Sequence, residues 1–197
     1  MSKCRIFGLL LFLAVVVLSL SLFAQTEAKK EEAPQHVYVK TTEPRTFATM
    51  THQGSFMDIP TVIANLMKAI DEGGYHTAGP VMCTYFNSPQ EVPEKELRWE
   101  VRIPVVFPGP MGRAENDKMG FGYSLPTHVA YVYHVGPYEK VGDTYKILFG
   151  WIGKMKHTIE GPPTEVYWSD PETTPKEKLV TEILIPVKEK EIPGALR

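Results

Sequence analysis

The feature that most constrains the fold is an internal repeat. With a fixed offset of 82 residues and no gaps, Pro44–Val105 aligns with Pro126–Val187, and 16 of the 62 aligned positions are identical. Many identical positions are glycines and prolines, the residues that fix turns, so the path of the backbone is what repeats. The sequence therefore predicts a tandem duplication, with repeat one at 44–105, a crossover at 106–125 and repeat two at 126–187.

Each copy predicts a strand, a helix and two further strands. Apolar residues from Ile59 to Ile70 recur at the spacing of one helical face, and the second copy repeats this stripe from Val141 to Ile152. The expected fold class is α+β, with two tandem β-α-β-β modules, helices on one side of an antiparallel sheet, and a ligand groove between modules related by pseudo-two-fold symmetry. The strands of the first copy are predicted at Phe47–His52, Val81–Asn87 and Leu97–Val105, with short strands at Val37–Lys40 and Gly120–Ser124 before each copy.

The first 24 residues have the pattern of an export signal. Lys3 and Arg5 precede an uncharged run from Ile6 to Ala24, which suits a cleaved signal peptide and, at about 20 residues, an N-terminal membrane anchor. Both alternatives stay open. Either one predicts a periplasmic or extracellular protein, the second with a membrane tether through residues 6–24. Residues 25–36 have the composition of a polar linker, 37–190 of the folded domain and 191–197 of a tail.

Composition excludes several partners. Subtracting Lys3 and Arg5 from the 21 basic residues leaves 19 against 23 acidic residues, a net charge of −4. A nucleic-acid partner would require a basic face, so none is expected. His52 and His134 coincide between the copies, but neither has a second ligand at metal spacing, so we predict no metal site and no cofactor. Cys83 is the only cysteine after residue 24, which leaves no internal disulfide.

Glu182 is the first candidate for a functional residue. It lies in the predicted closing strand Leu179–Val187, and a strand's period of two places it on one face with Val180 and Leu184. Burial of an unpaired carboxylate costs several kcal/mol, roughly, unless a cation, backbone donors or a ligand compensates it. The repeat supplies a comparison in Glu100, its counterpart.

Glu100 shares its predicted face with Arg98 and Arg102, which favours a solvated or cross-paired strip of charge. The second copy keeps the acid and has lost these local cations. We therefore expect Glu182 more than Glu100 to face a ligand, while a distant partner within the protein remains the alternative.

Aromatic side chains are the second signal. Tyr131 and Tyr133 share one strand face, and Tyr167 and Trp168 lie on the strand expected beside Glu182. An aromatic wall with a carboxylate suits a cationic or lipophilic organic molecule through stacking, cation–π contact and charge pairing. The predicted ligand-binding residues are Glu182, Tyr131, Tyr133, Trp168, Tyr85, Trp99 and Glu100.

The second copy also carries the segments His134-Val135-Gly136-Pro137-Tyr138-Glu139, Gly161-Pro162 and Thr181-Glu182 to Pro186-Val187. In these segments it resembles the GyrI-like small-molecule-binding family, the effector-binding domain of AraC- and MerR-type bacterial regulators. The resemblance implies two β-α-β-β modules, a groove for lipophilic, often cationic or aromatic compounds, and a functional glutamate that falls on Glu182. No helix-turn-helix domain accompanies it, so we do not expect a transcription factor.

The leading prediction is an exported protein that binds a small lipophilic or cationic molecule, with Glu182 as the charged reader. The alternative, suggested by a branch of the same family, is a hydrolase of strained, reactive small molecules in which Glu182 with Tyr133 or Tyr167 forms an acid–base pair. Haem binding, by similarity to the SOUL haem proteins, ranks lower because no histidine occupies an apolar groove position. A structural or partner-binding domain would instead fill the groove with its own side chains.

Overall fold

The structure is a computed structural model that describes residues 36–106 and 119–188. The predicted signal peptide or anchor at 1–24, the linker up to residue 35, the 107–118 part of the crossover and the tail at 191–197 lie outside the described residues. Within the two described ranges, no helix is both long enough and apolar enough to cross a membrane.

The described chain contains ten strands and two long helices. Eight of the strands and both helices follow the order that the repeat predicts, and the two-residue strand after each helix was not predicted. These elements are β1 (Tyr38–Thr41), β2 (Arg45–Gln53), α1 (Ile59–Glu72), β3 (His76–Thr77), β4 (Val81–Tyr85), β5 (Arg98–Val106), β6 (Gly120–Ser124), β7 (His128–Val135), α2 (Val141–Lys154), β8 (Thr158–Ile159), β9 (Thr164–Tyr167) and β10 (Val180–Lys188).

Helix α1 illustrates how local sequence sets the elements. Pro60 occupies the first turn, where its missing N–H leaves no bond unmade, and the apolar stripe that includes Val62 and Leu66 is buried. Asp58 holds the N-cap position without a side-chain capping bond. Its carboxylate lies 3.1 Å from Nε2 of His52 instead, which connects the start of α1 to β2.

The sheet follows the symmetry of the duplication. Its strand order is β1-β7-β10-β9-β4-β5-β2-β6, with β3 and β8 paired to β5 and β10. Exchanging each strand for its repeat partner reverses this order, so the topology has a pseudo-two-fold axis. The short strands cross between modules, since β1 pairs with β7 of the second repeat and β6 pairs with β2 of the first.

The pseudo-two-fold axis passes between Cys83 on β4 and Glu165 on β9. These residues are direct partners in the antiparallel β4–β9 ladder, and they are also equivalent under the offset of 82. The axis thus joins the modules into one continuous sheet, with two paired strands at its centre.

Both helices pack on one face of this sheet, here called the helix face. Cys83, Glu165 and Ile183 share it, because each is the direct ladder partner of the next. Helix α1 packs on β2 and β5, while α2 packs on β7, so the central strands β4 and β9 lie between the two helices. The other face, here called the open face, carries Val166 and Glu182, which are ladder partners on adjacent strands.

Candidate functional site

The polar centre of the helix face is Glu165. Strand β9 places its side chain between the two helices, on the pseudo-two-fold axis, and only 6% of the residue is exposed. Tyr167 lies two residues further along the same strand, so period-two alternation places both side chains on the helix face. Around them lies a cluster, here called the central cleft, which consists of Phe56, Tyr85, Tyr138, Tyr145, Glu165 and Tyr167.

Three tyrosine hydroxyls surround the Glu165 carboxylate. Oε2 accepts hydrogen bonds from Tyr85 at 3.1 Å and from Tyr167 at 3.0 Å, while Oε1 accepts one from Tyr145 at 3.1 Å. The hydroxyls of Tyr85 and Tyr167 also lie 2.8 Å apart. Each hydroxyl has one proton, so only two of the three contacts among Tyr85, Tyr167 and an ionised Oε2 are hydrogen bonds at any moment. The site is therefore a carboxylate held by neutral donors from β4, β9 and α2.

Two aromatic pairs flank this centre symmetrically. Phe56 meets Tyr85 edge to face with ring centroids 5.1 Å apart, and Tyr138 meets Tyr167 in the same way at 5.7 Å. Phe56 and Tyr138 are equivalent under the offset of 82, as are the two tyrosines they contact. The sequence produces this symmetry locally, because each outer ring begins the short 3-10 turn that precedes its module's long helix.

Burial controls the electrostatics of the cleft. It raises the pKa of the Glu165 carboxyl above its usual value, and the hydrogen bonds from the three tyrosines offset part of that rise. Burial, followed by the charge of Glu165, also raises the pKa of Tyr145. The tyrosines therefore remain protonated donors at neutral pH.

Glu165 has no ion-pair partner among the Lys and Arg residues within 36–106 and 119–188. A buried carboxylate with neutral donors alone is electrostatically favourable for an incoming cation, and the surrounding rings add cation–π attraction. The described residues offer no group of three or more His, Cys, Asp or Glu side chains that could hold a metal ion.

A separate depression of about 390 Å³ lies along α1, lined by Met50, Asn65, Lys68, Ala69 and Glu72. It shares no residue with the central cleft. Its charged groups, Lys68 and Glu72, face each other across one helical turn at 3.7 Å, so this surface offers no unpaired charge to a ligand.

Glu182 lies on the open face, across the sheet from the central cleft. It is 1% exposed and forms an ion pair with Lys40 of β1. Its Oε2 accepts a hydrogen bond from Nε1 of Trp168 at 3.0 Å. Burial and the nearby Glu182 carboxylate raise the pKa of the Tyr133 hydroxyl. The ammonium of Lys40 also lies 4.3 Å from the ring centroid of Tyr131. Four of the predicted ligand-binding residues therefore lie close together: Glu182, Trp168, Tyr133 and Tyr131. The cation beside them is the ammonium of Lys40.

The other predicted residues are dispersed. Tyr85 lies in the central cleft, whereas Trp99 is fully buried in the core under α1, where its Nε1 donates to the Gly54 carbonyl at 3.2 Å. Glu100 lies on the open face in an ion pair with Arg102. Tyr167 also lies in the central cleft, so Glu182 and Tyr167 do not form an acid–base pair. Glu182 and Tyr133 do share a face.

Sequence reasoning missed Glu165, Tyr145, Phe56 and Tyr138. The signal for Glu165 was present, because a strand's period of two aligns it with Tyr167, a position identical in both copies. Tyr145 was not identifiable in this way, since its α2 position also fits a tyrosine that simply packs helix on sheet. Only the fold shows that its hydroxyl reaches the carboxylate.

Comparisons with known proteins agree with this architecture. The C-terminal domain of EcmrR superposes with a TM-score of 0.71 at 17% identity, covering 80% of this chain and 100% of that one. An uncharacterized conserved protein from Listeria innocua gives 0.62 at 14% identity, and a hydrolase from the same organism gives 0.57 at 13%. Each Listeria comparison covers 83% of this chain and 98% of the other. At these identities the similarity shows the fold alone.

No curated protein matches the sequence. The model of the GyrI-like small molecule binding domain matches residues 18–106 and 124–188, which together include both repeats and most of the chain. The duplication, the ten-stranded sheet with two helices on one face, and this match agree. The chain belongs to the GyrI-like small-molecule-binding domain family.

Proposed function

We propose that this protein binds a small lipophilic organic cation in the central cleft, with Glu165 as the counter-charge. One observation carries the proposal. Glu165 is a buried carboxylate within hydrogen-bond distance of three tyrosine hydroxyls, and it forms no ion pair with a Lys or Arg of the described ranges.

The energetics of the cleft favour such a ligand. An ionised carboxylate in a site of low polarity is stabilised by neutral donors only in part, and a desolvated cation supplies the missing charge. The aromatic rings of Phe56, Tyr138 and the three hydrogen-bonding tyrosines provide apolar surface and cation–π attraction of about 2 kcal/mol where water is excluded. A cation without apolar groups would gain less, because it would bury little hydrocarbon.

Glu182 is less suited to this role because its charge is already balanced. Lys40 from β1 forms the ion pair, and Trp168 donates to the second carboxylate oxygen. An external cation would have to displace Lys40, whose strand β1 is separated from β10 by β7. A carboxylate beside aromatic rings is thus present on both faces of the sheet. Glu182 on the open face is paired with Lys40, whereas Glu165 on the helix face forms no ion pair with a described Lys or Arg.

Calorimetric titration with tetraphenylphosphonium, with neutral triphenylphosphine oxide as the uncharged comparison, tests the proposal. We expect the cation to bind the parent more tightly than the neutral compound. Glu165→Gln keeps the size and a hydrogen-bonding group but removes the charge, and we expect at least a tenfold loss of cation affinity, or about 1.4 kcal/mol. Affinity for the neutral compound should change little.

Glu182→Gln, measured alongside, discriminates between the two faces. If cation affinity survives Glu165→Gln and falls in Glu182→Gln, the site lies on the open face and the present assignment is wrong. If neither substitution weakens cation binding relative to the neutral compound, neither Glu165 nor Glu182 is the counter-charge of the ligand.

Export is part of the proposal. Its support is the uncharged run from Ile6 to Ala24 behind two basic residues, the pattern of a signal peptide or membrane anchor. In that arrangement the binding domain would meet its ligand outside the cytoplasm, in the periplasm or the medium. Fractionation of cells that express the full chain, followed by N-terminal sequencing, distinguishes cleaved, anchored and unexported forms.

A second candidate function is hydrolysis, favoured by the convergence of Glu165 with three tyrosine hydroxyls. In epoxide opening, for example, Glu165 would take a proton from water, the water oxygen would attack a ring carbon, and a tyrosine would protonate the oxygen released from that carbon. Burial raises the pKa of Glu165, which makes its carboxylate a stronger base. Diol production from styrene oxide that disappears in Glu165→Gln would support it, whereas cation binding without turnover would leave the binding function alone.

A further inference from the structure

We propose that the preferred ligand of the central cleft is a monocation with two apolar arms related by approximate two-fold symmetry. This inference rests on the proposed function and specifies the shape of the ligand. It follows from the symmetry of the aromatic walls and from the asymmetry of the charge between them.

The walls are a matched set. The pseudo-two-fold axis relates the Phe56–Tyr85 pair to the Tyr138–Tyr167 pair, and the two pairs have centroid separations of 5.1 and 5.7 Å and interplanar angles of 74° and 77°. The hydroxyls of Tyr85 and Tyr167 meet at 2.8 Å across the axis. A ligand on the axis would therefore encounter two nearly identical aromatic surfaces, one from each module.

In contrast to the paired aromatic walls, the cleft contains only one charged group among the residues that define it. Glu165 provides a carboxylate at the axis, whereas its repeat partner is Cys83. Burial raises the pKa of the Cys83 thiol to about 12, so it remains neutral at physiological pH. Tyr145 adds a third donor from α2, and the equivalent position in α1 is Ile63, which has no polar group. The duplicated frame thus holds one negative charge between two equivalent walls.

A complementary ligand has one positive charge near the axis and two similar apolar groups that extend toward the walls. A dication would leave one charge facing a neutral thiol in a desolvated site, which is unfavourable. A cation with one aromatic arm would fill one wall at a time and could bind in two equivalent orientations. These two classes of monocation differ in a measurable way.

The test compares dibenzyldimethylammonium with benzyltrimethylammonium, which have the same charge and differ by one arm. The second arm buries a further ring against the second wall, so we expect the two-armed ion to bind the parent about tenfold to a hundredfold more tightly. Removal of one wall by Phe56→Ala should weaken the two-armed ion about tenfold. The same substitution should weaken the one-armed ion only about twofold, since one of its two orientations remains.

Tyr138→Ala is the symmetric counterpart, and it should produce the same contrast between the two ions. It also replaces Phe56→Ala if that variant unfolds, because Tyr138 is 37% exposed and contributes less to the core. Phe86→Ala, which removes an exposed ring outside both pairs, is the matched control and should leave both affinities unchanged.

The outcomes separate this inference from the proposed function. If the two ions bind the parent equally and both lose affinity in Glu165→Gln, the cleft binds cations but has no preference for a second apolar arm, and the present inference is wrong. If one wall variant weakens both ions tenfold and the other weakens neither, a single wall forms the site. If Glu165→Gln weakens neither ion, the proposed function itself fails.

Discussion

The ion pair between Lys40 and Glu182 yields a quantitative prediction about stability, because its two partners differ greatly in exposure. The Glu182 side chain is 2% exposed and that of Lys40 is 36% exposed. Lys40→Met keeps an unbranched side chain against the Tyr131 ring but leaves a buried carboxylate without its cation. Breaking a buried ion pair from one side costs about 3–5 kcal/mol.

Two features lower the expected cost of Lys40→Met. Trp168 continues to donate its hydrogen bond to the carboxylate, and water partly screens the lysine in the parent. We therefore expect a loss of about 2–3 kcal/mol in the free energy of unfolding, or about 4–12 °C in Tm for a domain of this size. Glu182→Gln should cost less, about 1 kcal/mol, because the lysine left behind can reach water.

Urea unfolding of the parent, both single variants and the double variant measures these terms. The double variant should be as stable as Glu182→Gln alone, since the unpaired charge has been removed. Lys68→Met is the matched control, because that lysine pairs with Glu72 on the surface of α1 and should contribute at most about 0.5 kcal/mol. A cost for Lys40→Met no larger than this control would refute the reasoning.

Two further predictions concern the helix face. The pKa of the Glu165 carboxyl is higher in the native state than in the unfolded chain, so the native state binds the carboxyl proton more tightly. This proton binding stabilises the native state at low pH. The stabilisation is lost as pH rises from the ordinary pKa of 4.5 through the raised pKa. Comparing Glu165→Gln with the parent by urea unfolding across pH 4–8 should show the variant gaining relative stability with pH, and a difference independent of pH would contradict the assignment. The Cys83 thiol, buried and with a pKa of about 12, should resist iodoacetamide at pH 8 in the native protein and react after unfolding in urea. Rapid alkylation of native protein, read by peptide mapping, would show that the β4–β9 ladder opens readily.

The sequence by itself determined the fold to a large extent. The repeat predicted two β-α-β-β modules, the apolar stripes predicted both helices, and Gly120–Ser124 was predicted at the bounds that β6 has. Local pattern suffices for these features because side-chain period and turn residues constrain the backbone directly. Local alternation also placed Tyr131 and Tyr133 together on one face of their strand.

Only the tertiary structure decided which acid has a cation beside it. Glu182 and Glu165 are both carboxylates on buried strands, and their local sequences do not reveal which has a cation nearby. Lys40 reaches Glu182 because β1 crosses to pair with the second module, 142 residues away in the chain. Tyr85 reaches Glu165 because the central strands pair at the pseudo-two-fold axis. Burial and charge pairing depend on such long-range contacts, which the period of a strand does not encode.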